Sequence, residues 1–425
     1  MTAKPMPLYG WYGDDFTGST DTLATLAERG FRALLFLRQP SEAQLAAAGP
    51  LDAIGIAGAS RAMAPEAITA ELTEIGRFFA GRGVGLMHYK CCSTFDSAPH
   101  IGSIGAAVAA LKPFFPNPLM PILGGQPNLG RFCLFGNLFA AGGDGAIHRI
   151  DRHPTMSLHP VTPMAEADLR RHLAAQGLAD IGLVDYRAYA GGSVAQAALP
   201  NGNAAVLFDV AAEADLAAIG ALLATSSESG PMLAVGASSV ARAFAAGHDK
   251  VVILPRAPEA KHRGTGAVLA LVGSLSPVTR AQVEAARGYA MLSVDAARLL
   301  ADEKYGPELR NTALSRLAQG DVMLVTEQPE GAPAASGAVA EATGALLASI
   351  IAEARLGRLV VAGGDTSTMA IRALPLWGLS YLGPCVPGAP LCRAHSDDPR
   401  LDGLEIVLKG GQMGPPGFFN DAARA

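Results

Sequence analysis

Apolar residues in this chain come in short runs of strand length, each followed by a longer stretch in which they recur every three or four positions. In the first half the runs read "LYGWYG", "RALLFLR", "AIGIAG", "VGLMHYK", "CLFGNLF", "IGLVD" and "AVLFDV". Between them lie segments of helical spacing such as residues 19–29, 65–80 and 164–175. The last opens "TPMAEADLRRHL", which predicts Thr162 as N-cap, Pro163 at the first helical position and acids in the first turn. The second half repeats the rhythm with "MLAVGAS", "VLALVGS", "YAMLSVD", "DVMLVTE", "RLVVAGG" and "LEIVLKGG". Strands alternating with helices predict mostly parallel sheets flanked by helices, a doubly wound α/β architecture. "TSSESGP" breaks the rhythm, so two domains are expected, 1–228 and 229–425. The Pro/Gly-rich segment 112–131 is too long for a simple connection and reads as a functional or mobile loop.

Length agrees with two domains, since 425 residues exceed one ordinary core. Hydrophobic residues at 50% and charged residues at 17% exclude a disordered chain. A net charge of −5 without a block of Lys or Arg argues against nucleic acid as a partner. The start of the chain has no apolar core of a secretory signal, and no apolar run is long enough to span a membrane. Five cysteines without CxxC spacing fit a reducing cytoplasm and offer no zinc site. These features predict a cytoplasmic enzyme.

In an open α/β sheet, ligands bind beyond the carboxyl ends of the strands, where strand order reverses. Five stretches, and two more in the style of the fourth, fall at such expected ends. Asp14 and Asp15 follow the first run; they can direct an attacking hydroxyl or help hold Mg2+, or one of them can simply cap the next helix. Ser60 and Arg61 follow the third run, where the arginine can hold a carboxylate or form a surface ion pair. Lys90, Ser93, Thr94 and Asp96 follow the fourth, as an anion and hydroxyl site or as a turn that caps a helix. In "VVAGGDTSTMAIRAL", Gly363 and Gly364 lead through Asp365 and Thr366 into a helix, a phosphate cradle or a plain turn. "LVGSLSPVTRAQ" offers Gly273 and Ser274 in the same style, and "VGASSVARA" offers Gly236, Ser238 and Ser239. "LKGGQMG" places Gly410 and Gly411 where a loop closes over a nucleotide or a strand merely ends. Absent are the P-loop pattern, the dinucleotide fingerprint and the nucleophile elbow. Acids, a lysine and an arginine in one half, with glycine-rich anion loops in the other, suit a kinase for a small acidic metabolite.

Taken in order, "GDDFTGSTD", "KCCSTFDS", "GRFCLFGNL" with "HPVTPMAEADLRRHL", "VGASSVARAF", "VGSLSPVTRAQ", "VVAGGDTSTMAIRAL" and "LKGGQMG" resemble the four-carbon acid sugar kinase family over nearly the whole chain. The resemblance implies an N-terminal domain for a sugar acid, a C-terminal domain for ATP, and an active site in the cleft between them. It implies ATP-dependent phosphorylation of a terminal hydroxyl of a short sugar acid such as a threonate, an erythronate or a 3-oxo acid. Carried onto this chain, Asp14 and Asp15 become catalytic, and Ser60, Arg61, Lys90, Ser93, Thr94 and Asp96 line the substrate, with Arg61 and Lys90 clamping the acid. Ser274, Gly363, Gly364, Asp365, Thr366, Gly410 and Gly411 hold ATP, and Mg2+ is expected with it, its ligands unassigned. The expected partners are the sugar acid and ATP, without nucleic acid or membrane, and with a homodimer as the candidate assembly. After the lysine, the family's usual pattern is close to K-x-D-S-T-L-R-G; here Cys92 replaces the Asp and Asp96 the Arg. A carboxylate in place of a cationic fork reverses the local charge and disfavours an anion there. A branched or oxidised acid such as 3-oxo-isoapionate therefore stands beside the simpler acids as a candidate. The runner-up reading is a regulatory or interaction protein of the same fold that binds nucleotide or metabolite without turnover. A dehydrogenase is disfavoured by the missing fingerprint.

Overall fold

The computed structural model describes residues 9–143, 145–159, 161–192, 194–198, 204–248, 266–327 and 337–425. The chain divides into two units, Met1–Pro255 and Arg256–Ala425. This division falls later than the expected boundary at 228, because the run "MLAVG" after "TSSESGP" becomes an inner strand of the first sheet.

The first unit holds strands β1 (Tyr9–Gly13), β2 (Ala33–Phe36), β3 (Ala53–Ala57), β4 (Leu86–Lys90), β5 (Pro121–Leu123), β6 (Arg131–Leu134), β7 (Asn137–Ala141), β8 (Ile147–Arg149), β9 (Ile181–Val184), β10 (Ala205–Phe208) and β11 (Met232–Gly236). Its main sheet runs β2-β3-β1-β4-β11-β5-β10-β9, every pair parallel. The chain first builds β2 and β3 on one side of β1 and then crosses to β4 on the other. Strand order therefore reverses at β1. The inner strands are buried throughout, as a sheet covered on both faces requires, and Tyr9, Trp11, Tyr12 and Tyr89 fill the space around β1. Helix α1 (Phe16–Glu28) follows β1 directly; it ends at Gly30, which takes the left-handed conformation while Phe31 N–H bonds the Leu26 carbonyl.

Three sequence expectations are corrected in this unit. "CLFGNLF" is not one strand but the turn of the hairpin β6–β7, and β6, β7 and β8 form a separate antiparallel sheet. Phe135 and Gly136 at its tip both have positive φ, and the buried carboxylate of Asp209 accepts their N–H groups at 2.6 and 2.9 Å. The helix expected to start at Pro163 starts at Leu169, capped by Asp168. Residues 164–169 are held to other strands and turns instead: Met164 N–H bonds Met156, Leu138 N–H bonds Ala167, and Leu169 N–H bonds Gly136. The 112–131 segment is no free loop. It contains β5, buried between β11 and β10, and Asn117 anchors it to the carbonyls of Ser226 and Gly230 at 2.8 Å each.

The second unit holds β12 (Ala267–Val272), β13 (Tyr289–Asp295), β14 (Asp321–Glu327), β15 (Leu356–Ala362), β16 (Leu376–Val386), β17 (Ala389–Ser396) and β18 (Glu405–Lys409). Order within it is β13-β14-β12-β15-β18-β17-β16, the first five parallel and the last two joined antiparallel. Val268, Ala270, Val360, Ala362 and Val407 pack against Phe418 and Phe419 of the C-terminal helix, each buried Val or Phe contributing about 1.5–3 kcal/mol. Strand order reverses again, between β12 and β15. Among the described residues no helix is long and apolar enough to cross a membrane.

Candidate active site

Three neighbouring strand ends in the first unit converge on one charged cluster. Asp14 and Asp15 leave β1, Arg61 lies in the turn Ser60–Ala62 after β3, and Lys90 is the last residue of β4. Arg61 spans both carboxylates. Its Nε and Nη2 donate to Asp14 at 3.2 and 3.0 Å, and its Nη1 lies 3.0 Å from Asp15 Oδ2. Lys90 Nζ stands 3.9 Å from Asp14 and 3.8 Å from Asp15. Asp14 Oδ2 also accepts the Cys92 N–H at 3.2 Å. Asp15 is the N-cap of α1, accepting the Gly18 N–H at 2.9 Å and the Thr17 hydroxyl at 2.7 Å. The cap and the site are the same residue.

All four side chains are largely withdrawn from water, which opposes charge on the acids. For Asp14 burial wins, and with Asp15 beside it the pKa is raised despite Arg61 and Lys90. For Asp15 burial is overcome: Arg61, Lys90, the Thr17 hydroxyl and the Gly18 N–H hold it at about 2. Burial also opposes the Lys90 charge, but Asp15 and Asp14 more than offset it and its pKa is raised. The pair is thus asymmetric, one carboxylate firmly ionised and the other the readier proton acceptor.

The loop after β4 forms the next wall. Thr94 donates to Asp96 at 2.5 Å and lies 3.0 Å from Cys92 Sγ, and burial followed by Asp96 pushes the Cys92 thiol up. Phe95 takes a left-handed φ of 56° with its ring fully buried, a conformation uncommon without glycine. Ser93 is partly exposed at this edge. Ser60 faces away from solvent, 3.0 Å from the Tyr89 hydroxyl, and braces the strand ends.

In the second unit, Ser274, the Gly363–Thr366 turn and Gly410–Gly411 lie beyond the adjacent ends of β12, β15 and β18. Gly273 and Ser274 N–H groups bond the Ala362 carbonyl at 3.0 and 3.1 Å, and Gly363 N–H bonds Lys409 at 2.8 Å, so the three loops are tied edge to edge. Gly363 has φ +129°, which an L side chain would strain. The helix Gly364–Arg372 that follows has no side-chain cap, leaving first-turn N–H groups for an anion, with Asp365 exposed and Thr366 buried there. Sequence reasoning missed the residues beneath these loops. Lys409 is fully buried, and its Nζ donates to Thr279 at 2.9 Å and to the Gly410 carbonyl at 3.0 Å. Ser276 and Thr279 hydroxyls donate to Gly411 at 2.5 and 2.8 Å, and the Gln282 amide reaches the Met413, Gly414 and Pro415 carbonyls. Burial, with no carboxylate partner among the described residues, brings Lys409 down to about 7. A lysine ending an apolar strand was the available signal.

Comparison with known proteins matches both halves. The chain fits a sugar-binding N-terminal domain over residues 9–244 and a nucleotide-binding C-terminal domain over 269–419. It is 38% identical to the 3-oxo-isoapionate kinase of Paraburkholderia graminis, covering 97% of this chain and 93% of that one. To the 3-oxo-tetronate kinase of Methylobacterium radiotolerans it is 32% identical over 97% of this chain and 98% of the other. Among solved structures it is similar to a Salmonella typhimurium LT2 protein, with a TM-score of 0.75, 26% identity and 98% of both chains covered.

Proposed function

From the premise that this chain belongs to the four-carbon acid sugar kinase family, we propose that Asp14 and Asp15 direct a terminal hydroxyl of a short sugar acid onto the γ-phosphoryl of ATP. The protein is an ATP-dependent sugar-acid kinase, a phosphotransferase with an alcohol acceptor. Its acid is of the 3-oxo or branched kind named for these relatives. The observation that carries the catalytic assignment is the asymmetric carboxylate pair at the strand reversal of the sugar-binding unit.

Ionised Asp15, fixed by Thr17, Gly18 and Arg61, anchors the acceptor, and Asp14 takes the hydroxyl proton as the new O–P bond forms and the bond from the γ-phosphorus to the bridging oxygen breaks, releasing ADP. Arg61 and Lys90 keep the pair charged and placed; Ser93, Thr94 and Asp96 offer hydrogen-bond partners to substrate hydroxyls. In the nucleotide-binding unit, the backbone at Ser274, Gly363–Thr366 and Gly410–Gly411 cradles the phosphates. Mg2+ keeps several waters and needs only one or two carboxylates beside the phosphates, and exposed Asp365 at the helix start fits that demand. When bound, the ion neutralises charge on the transferred phosphoryl. Positioning and electrostatics supply the remaining rate.

The test is a coupled ADP-release screen of the full chain over four- and five-carbon sugar acids, branched and 3-oxo ones included. Turnover of one such acid, lowered at least about 1,000-fold by Asp15→Asn with ATP affinity unchanged in calorimetry, is the expected result. Full activity in that variant removes Asp15 from the mechanism. Binding without ADP release for every acid returns the non-catalytic reading.

A further inference from the structure

Arg131 opens β6 and is only 9% exposed. Its Nη1 donates to the Leu129 carbonyl, while its Nε is buried with no partner among the described residues. No carboxylate of the described residues forms an ion pair with it; the Cys92 thiol of the site loop is pushed up and uncharged, and Asp96, which accepts the Thr94 hydroxyl, acts on it from beyond ion-pair distance. A buried guanidinium without a counter-ion is costly unless a ligand supplies one. Its place is fixed from behind. Backbone bonds of 2.8 and 3.1 Å join it to Gln126, whose amide donates to Asp21 of α1 at 2.9 Å. The helix that carries Asp15 at its start therefore also sets the register of Arg131. Arg61 and Lys90, by contrast, are taken up by Asp14 and Asp15.

We propose that Arg131 binds the carboxylate of the sugar acid, holding the end of the substrate opposite the hydroxyl that Asp14 and Asp15 direct. The inference rests on the sugar-acid reading above. Arg131 is the residue by which the site tells an acid from a neutral polyol of the same length, since its planar fork matches a carboxylate and its burial removes competing water.

Calorimetry on the full chain tests it without requiring turnover. The probes are erythronate, threonate and 3-oxo-isoapionate, each against its own carboxamide. The best-bound acid is expected to bind the wild-type chain about 100-fold more tightly than its carboxamide. Arg131→Gln binds the two alike, and Arg131→Lys, which keeps charge but not the fork, keeps about a tenfold preference. ADP affinity stays the same in all three proteins. Wild-type affinity that is equal for acid and carboxamide, or absent for every acid, overturns the proposal, as does an Arg131→Gln or Arg131→Lys chain that retains the full preference. Should the glutamine variant fail to fold, the wild-type comparison and the lysine variant still decide. ADP release is scored apart. Acid binding with the preference intact but no ADP from any acid overturns the kinase reading alone. ADP release with an unchanged preference in Arg131→Gln overturns the clamp alone.

Discussion

Two neighbouring carboxylates survive burial here because each has a different set of donors. Asp15 is stabilised by being charged, whereas Asp14 carries its charge against burial and against Asp15. Neutralising them should therefore have unequal effects on folding. Asp15→Asn keeps a capping side chain but removes a favourable charge facing Arg61 and Lys90, and a loss of about 2–3 kcal/mol is expected. Asp14→Asn should stay within about 1 kcal/mol of wild type. Urea unfolding of the two variants checks this; an equal loss, or the reverse order, rejects the asymmetry. Acid follows the same sign. Because the folded value of Asp15 lies below its ordinary one, its contribution is complete above about pH 4 and is lost as pH falls towards about 2. Lys409 gives a second titration at the other end of the pH scale. Its folded value of about 7 lies below the ordinary lysine range, so between the two the unfolded chain holds the extra proton. Stability from this residue consequently rises as pH climbs above about 7. Lys409→Met should flatten that rise in unfolding free energy, and identical slopes in variant and wild type would count against it.

At the level of elements, the start of α1 is where packing and chemistry compete. Glycine inside a helix normally costs about 0.5–1 kcal/mol relative to alanine, so Gly18→Ala would ordinarily stabilise. Here a Cβ on Gly18 would meet Lys90 Nζ at 1.7 Å and Asp15 Oδ1 at 2.7 Å. Lys90 must leave the carboxylates to admit it. Gly18→Ala is expected to lower kcat about 10–100-fold and to destabilise by about 1–3 kcal/mol, measured by ADP release and denaturation. A stabilised, fully active variant would mean that Lys90 has no fixed task. The same scale shows what sequence patterns could reveal. The parallel strands other than the three-residue β5 were legible because an apolar run of strand length is preserved in them. The hairpin β16–β17 was not, since β16 is largely half-buried and carries Gly383 and Pro384, and Pro387 and Gly388 make the turn. Thr162-Pro163 has the chemistry of a helix start, yet backbone bonds from residues 164–169 to Met156, Leu138 and Gly136 outweigh that local preference.

For the whole molecule, the decisive regularity is that each unit crosses from one side of its first strand to the other, at β1–β4 and at β12–β15, and the candidate residues gather at that crossing. That is why Asp14, Asp15, Lys90, Gly363 and Gly410 could be read from strand ends alone. Arg131 was passed over because its run reads as a strand, although Leu129 and Gln126, which hold it, are close in sequence; for Lys409 the signal of a lysine ending an apolar strand went unused. The two clusters make separable demands on ligands, and hydrogen exchange of the intact protein can separate them. ATP alone should slow exchange at 273–276, 363–368 and 409–411, where free N–H groups and tied loop edges meet phosphate. The sugar acid alone should slow exchange at 14–18, 60–61, 90–96 and 131, the segments that share Asp14, Asp15 and the Asp96 loop. Protection by ATP confined to the first set, and by the acid to the second, assigns acceptor and donor to different units. Protection of the Asp14–Gly18 segment by ATP alone would transfer the phosphate site to the first unit and leave the glycine loops of the second as structural turns.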